Sequence, residues 1–238
     1  MNSDGAPTVL WRRHPKARRI TLRIDPAHGQ LIVTLPPRAA RAAGLALLNE
    51  HADWVTSTLA ALPEAAPLQD GATIPIDGEP HLIRCMPQRR GKAWLEPGLI
   101  NVPGEPHSLA LRVVTLLRAE AKHRLSIQAS TKSAQAGATL TRVTMRDTQT
   151  RWGSCSAQGA LMFNWRIVMA PPFVQDYVVA HEVAHLRHLD HGPGFWALAD
   201  RLSPHRQAAV TWLRQEGPRL LRVGSPAATA RAQRAARE

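Results

Sequence analysis

Along Ile20-Thr21-Leu22-Arg23-Ile24 apolar and polar side chains alternate, Asp25-Pro26-Ala27-His28-Gly29 breaks the alternation, and Leu31-Ile32-Val33-Thr34-Leu35 follows. A period of two on either side of turn residues predicts a β-hairpin. Pro36-Pro37 then opens an alanine-rich stretch that predicts a helix to about Leu62. Gly71, Gly78, Gly91 and Gly98 punctuate short apolar runs, among them Ile74-Pro75-Ile76 and His81-Leu82-Ile83-Arg84-Cys85, a pattern that predicts a small meandering sheet.

The period changes after Pro103-Gly104-Glu105-Pro106. Leu109, Val113, Leu116, Leu117, Ala121 and Leu125 fall on one helical face, and Gly137 stops the helix. Strands are expected near Thr141–Met145 and Leu161–Val168, flanking a loop at Arg151–Ser156. Pro171-Pro172 then starts an apolar helix through Phe173–Ala180 and beyond, since proline suits a first helical turn. A short helix around Phe195–Leu202 follows, and a last one starts at Ser203-Pro204 and ends at Gly217-Pro218. The pattern predicts an α+β chain in two parts: a β-rich module with one helix over residues 8–104 and an α+β half over 105–222. Residues 223–238, alanine- and arginine-rich without a packing pattern, are expected to be a disordered basic tail.

Chemistry concentrates in the apolar helix. His181-Glu182-Val183-Ala184-His185 is an H-E-x-x-H motif, followed by His188 and His191. Residues i and i+4 stack on one helical face, so His181 and His185 can offer two imidazole nitrogens to one zinc ion. Glu182 is poised beside the ion as general base, taking a proton from a metal-activated water and delivering it to the leaving nitrogen. Burying a carboxylate and several imidazoles on an apolar helix would be costly unless something paired them.

For the third ligand there are two candidates. On a regular helix His188 would lie roughly 10 Å along the axis from His181, too far for one ion with bonds of about 2.0–2.1 Å, which makes it a surface or supporting histidine. His191 falls in Asp190-His191-Gly192-Pro193-Gly194, where the helix ends and the chain can fold back, and it is the expected ligand. Three protein ligands leave a fourth position open, as a catalytic rather than a closed structural site requires.

Arg151-Trp152-Gly153-Ser154-Cys155-Ser156, Asn164-Trp165-Arg166, Tyr177–His185, and His191 with Phe195-Trp196 resemble the YgjP-like family of predicted zinc metallopeptidases, related to the SprT and Spartan proteases. The resemblance is specific over residues 141–217 and extends more loosely to Arg18-Arg19-Ile20 and Pro36-Pro37. It implies a zincin-like domain, one zinc per chain on His181, His185 and His191, and Glu182 as general base. Val183 stands where the family has a leucine, which touches no catalytic position. The resemblance also implies that the strand at Leu161–Val168 pairs with an extended peptide. Tyr177, Arg151 and Arg166 are candidates to stabilise the oxyanion, and Trp196 to support the third ligand.

Composition narrows the setting. The net charge of +12 is clustered: Arg12, Arg13, Lys16, Arg18, Arg19 and Arg23; Arg84, Arg89, Arg90 and Lys92; and Arg222, Arg231, Arg234 and Arg237. Such patches attract DNA or RNA by counterion release, so the protein or peptide substrate is expected to include nucleic-acid-associated proteins. A zinc-stabilised, non-catalytic nucleic-acid- or protein-binding module is the rival reading, and Glu182 separates the two, since a structural site needs no base. With two cysteines, no run of 18 apolar residues and no basic start leading into an apolar stretch, the expected setting is cytoplasmic, without a membrane span.

Overall fold

The structure is a computed structural model that describes residues 8–225 and 228. Among these residues there are six α-helices and three small sheets, the α+β architecture the sequence predicts.

The hairpin forms as β2 (Thr21–Asp25) against β3 (Gln30–Leu35), with Gly29 at a φ of 62° closing the turn. A strand the pattern did not indicate, β1 (Val9–Arg13), pairs parallel to β3 on its other side. The helix expected to Leu62 is two: α1 (Arg41–Glu50) and α2 (Ala52–Ala60), broken at His51, which takes a φ of −108°. Leu31, Val33, Leu35 and Val55 form a small core of their own between this sheet and these helices.

The second sheet runs in the order β4 (Thr73–Ile76), β5 (Glu79–Met86), β7 (Leu99–Pro103), β6 (Trp94–Glu96). Ile74, Ile76, Ile83, Ile100 and Val102 on its inner face join the same core as α3 (Leu109–Gln135) and the H-E-x-x-H helix. The main core therefore runs across the boundary expected at residue 104. The four isoleucines and the valine need an apolar cover that the first sheet's few core residues do not supply. The Asp77-Gly78 turn between β4 and β5, with φ of 55° and 83°, pins this sheet in place. Its amides donate to the carbonyls of Val168 (3.0 Å) and Met169 (3.1 Å), Gln175 Nε2 donates to Asp77 Oδ1 (2.8 Å), and Arg124 pairs with the same carboxylate.

Along α3 the buried positions Leu109, Val113, Leu117, Ala121, Leu125 and Ala129 recur every four residues and make one seam. The third sheet has β10 (Ala160–Asn164) in the middle, parallel to β8 (Arg142–Arg146) and antiparallel to β9 (Gly153–Cys155). The strand expected to reach Val168 ends at Asn164, whose side chain accepts the amide of Arg166 and starts a short 3₁₀ helix, Trp165–Met169.

The H-E-x-x-H helix, α4 (Pro172–Ala184), is buried through most of its length, and α5 (Pro193–Leu202) and α6 (Arg206–Arg222) pack against it. α6 continues through Gly217-Pro218 instead of ending there. Pro218 forfeits one helical hydrogen bond, but Leu220 and Val223 beyond it are buried, and Gly217 exists to admit Trp152, whose ring carbon would lie 3.1 Å from a Cβ at that position. The expected tail does not begin at residue 223: the Val223 carbonyl accepts from Arg166 Nε (3.2 Å), and Gly224 N donates to Ala66 O (2.9 Å). The rest of that segment, residues 226–238 apart from 228, lies outside the described residues.

Candidate metal centre

α4 ends at Ala184, one turn after His181, with His185 as its cap. The chain then tightens: Leu186 N donates to Val183 O (3.0 Å), and Arg187 N and His188 N both donate to Ala184 O (3.1 and 3.0 Å). This early stop turns residues 188–192 back over the helix face and delivers His191 to His181 and His185. One nitrogen from each of the three rings lies within 4.8 Å of the others. His188 does not continue the helix, as its sequence reading assumed. Its ring packs on Gly194, and its carbonyl accepts a hydrogen bond from His185 Nδ1 (3.0 Å). That bond fixes the His185 tautomer with Nε2 free to bind an ion.

The nitrogens His181 Nε2 and His191 Nε2 face each other at 3.3 Å. Two nitrogens each about 2.0–2.1 Å from a tetrahedral ion lie about 3.3–3.4 Å apart, so the pair is spaced as two ligands of one ion. Burial and the neighbouring imidazoles hold His181 down to about 4, and burial lowers His185 as well. Both rings are therefore neutral lone-pair donors at ordinary pH. His181 Nδ1 is buried with no hydrogen-bond partner among the described residues. The residues present fit a metal ion: three imidazoles converge, with His181 Nε2 and His191 Nε2 at the spacing of two ligands.

Phe195 braces the cluster. Fully buried, its ring centroid lies 4.9 Å from that of His181, 4.5 Å from His185 and 4.6 Å from His191. Trp196 is farther, at 6.0 Å from His181 and 5.6 Å from His191, with the Arg206 guanidinium over its ring at 4.7 Å. Tyr177 also borders the site, 5.9 Å from His181 between ring centroids, and burial pushes its phenol up.

Glu182 is 6 % exposed, and burial pushes its carboxyl up to about 8, an effect that the charge of Arg151 partly offsets. Its carboxylate packs directly on β9: a Cβ at Gly153 would come within 2.5 Å of Glu182 Cγ and Oε1. Gly153, quoted in the sequence only as part of a motif, is the residue that makes room for the base. Nothing in one sequence marks it, because the approach is between segments about thirty residues apart. Cys155, on the same strand, is partly buried, and its thiol is raised by burial and by Glu182. Arg166 is not brought to the cluster. It is buried, paired with Asp147, bonded to Val223 O and stacked over Trp165 at 4.3 Å.

The strand bordering Glu182 is thus β9, at the edge of its sheet, while β10 has both sides occupied and has no edge for a substrate strand. Trp152 O and Ser156 N bond to Asn164 N and Ala160 O (2.8 and 2.9 Å). Strict antiparallel alternation therefore turns the amide and carbonyl groups of Gly153 and Cys155 toward the open edge.

An H-E-x-x-H helix with a third histidine returning from a loop, beside an open strand edge, is the arrangement of a metallopeptidase domain. The chain belongs to the YgjP-like family: the model of the YgjP-like metallopeptidase domain matches residues 18–216. Neither a curated protein nor a solved structure matches it. No helix among the described residues is long and apolar enough to cross a membrane.

Proposed function

We propose that the chain is a zinc-dependent peptidase, and the observation that carries this is the convergence of His181, His185 and His191 nitrogens within 4.8 Å beside a buried glutamate. The three histidines would hold one zinc ion, leaving a fourth position open. Bound there, zinc supplies a Lewis acid that polarises the scissile carbonyl and acidifies a water. Glu182 takes the proton of the attacking water and passes it to the leaving nitrogen. The Gly153 and Cys155 edge of β9 offers main-chain donors and acceptors to an extended peptide, which orients the scissile bond over Glu182. Tyr177, whose ring lies 5.9 Å from that of His181, and Arg151, whose charge acts on Glu182, are the candidates to meet a developing oxyanion, while Arg166 is committed elsewhere.

Arg12, Arg13, Lys16, Arg18 and Arg19 are exposed on the first sheet and its following loop, and Arg84, Arg89, Arg90 and Lys92 on the second. Their charge supports substrates that are themselves associated with nucleic acid. The two free cysteines, Cys85 and Cys155, fit a reducing compartment such as the cytoplasm.

The test is metal content by mass spectrometry together with cleavage of unfolded casein, with and without single-stranded DNA, in the parent and in Glu182→Gln. One zinc per chain in both proteins is expected, with cleavage reduced on the order of 10²–10⁴-fold in the variant. Zinc without any Glu182-dependent cleavage would favour the non-catalytic binding module, and absence of zinc after reconstitution would remove the site.

A further inference from the structure

The loop that leads into β9 turns its earlier residues toward α6. Gln149, Arg151 and Trp152 line one side of a pocket of about 200 Å³, and Arg214, Gly217 and Pro218 line the other. Gly217 allows the two walls to approach so closely, since any Cβ there would press on the Trp152 indole at 3.1 Å. The size decides among occupants. Sites for drug-sized ligands and cofactors run to about 300–1,000 Å³, so this pocket takes one amino-acid side chain or a chain terminus.

Its charge decides the chemistry. Two arginines line it and no acidic residue does. Neither Arg151 nor Arg214 forms a salt bridge among the described residues, although several other arginines in the chain do. Gln149 Oε1 is buried with no hydrogen-bond partner among the described residues, an acceptor left for a donor such as a peptide N–H. The location ties the pocket to the reaction. Trp152 directly precedes Gly153, on which the Glu182 carboxylate rests, and the charge of Arg151 reaches Glu182, so the pocket walls adjoin the strand that borders the base.

We propose that this pocket is a specificity site for a carboxylate of the peptide substrate, either an Asp or Glu side chain near the scissile bond or the terminal carboxylate, paired with Arg151 and Arg214 beside Trp152. The proposal rests on the peptidase reading of the neighbouring centre. Arg214 is the cleaner probe, because Arg151 also acts on Glu182.

The test uses full-length, zinc-loaded Glu182→Gln, so that binding is read without turnover, and measures Kd by calorimetry for an alanine-based peptide set. One arm replaces an internal Glu by Gln at successive positions; the other replaces the free C-terminal acid by the amide. The expected result is that one of these changes weakens binding about 10-fold, as loss of a charge-assisted pair does. The loss should shrink to about twofold or less when Arg214→Gln is added. Arg214→Glu should shift preference to the same peptide carrying Lys at that position. Whichever arm shows the loss identifies the source of the carboxylate. Equal binding of acid and amide forms in both arms would overturn the proposal. Cleavage by the parent without carboxylate preference would overturn it while the peptidase reading stood. Preference in binding without cleavage by the parent would retain the pocket and remove the peptidase reading.

Discussion

Glu182 combines deep burial with a charge that only Arg151 offsets, and the cost of that arrangement is measurable without any substrate. With the metal stripped by a chelator, the folded protein holds the Glu182 proton up to about pH 8, while the unfolded chain releases it near the ordinary glutamate value of 4.5. Between those values the folded state binds more protons, so this group's contribution to stability falls as pH rises and levels off above about 8. Glu182→Gln, which resembles the protonated form, escapes the loss. The metal-free variant should match the parent near pH 4.5 and exceed it progressively to pH 8, by on the order of 4–5 kcal/mol. His181 contributes with the opposite sign, since its folded value of about 4 lies below 6.5, but that contribution is common to both chains and cancels. Urea titrations at a series of pH values would show it, and a constant difference across the range would refute the account of a buried, ionisable base.

At the scale of elements, the parts readable from the sequence are those that depend on one segment alone. The four-residue seam of α3, the hairpin around Gly29 and the proline-started α4 all follow from local periodicity and turn residues, and each is present. So are the three histidines, because two share a helix face and the third stands directly before the Gly192-Pro193 turn signal. Features set by other segments were not readable. α4 stops at Ala184 because the next turn is needed to return His191, α6 survives Pro218 because Leu220 and Val223 are buried, and Leu161–Val168 is shortened by the Asn164 cap. The most consequential of these is the contact between β9 and α4. Gly153→Ala would place a Cβ 2.5 Å from the Glu182 side chain and force the carboxylate aside, or the strand outward. The three atoms nearest that Cβ all belong to Glu182, so zinc affinity measured against a competing chelator should change by less than about threefold. The kcat should fall about 10-fold or more, since a displaced base loses its geometry for proton transfer. An unchanged kcat would mean that the carboxylate does not need its place against β9.

At the scale of the whole molecule, the question is where the chain can be cut. A boundary at residue 104, between a β-rich module and a catalytic half, matches the change in sequence period but not the core. Ile74, Ile76, Ile83, Ile100 and Val102 are each at most 2 % exposed within the core that α3 and α4 share, and the Asp77-Gly78 turn is bonded to the carbonyls just before α4. At roughly 1.5–3 kcal/mol for each buried aliphatic side chain, removing them costs on the order of 10 kcal/mol, comparable to the whole stability of an ordinary domain. The first sheet with α1 and α2 is a different case. Its core is the separate cluster around Leu31, Val33, Leu35 and Val55, and it is tied to the carboxy-terminal helix by the bond from Arg222 Nη1 to Pro26 O (2.6 Å). A fragment of residues 64–238 should therefore melt cooperatively in circular dichroism and retain one zinc. The fragment 105–238 should lack a cooperative transition, though it keeps all three histidines and Glu182. A cooperative melt from 105–238 would show that the second sheet is an accessory rather than half of the core behind the metal centre. Loss of folding in both fragments would show that the first sheet carries more of the structure than its small apolar cluster implies.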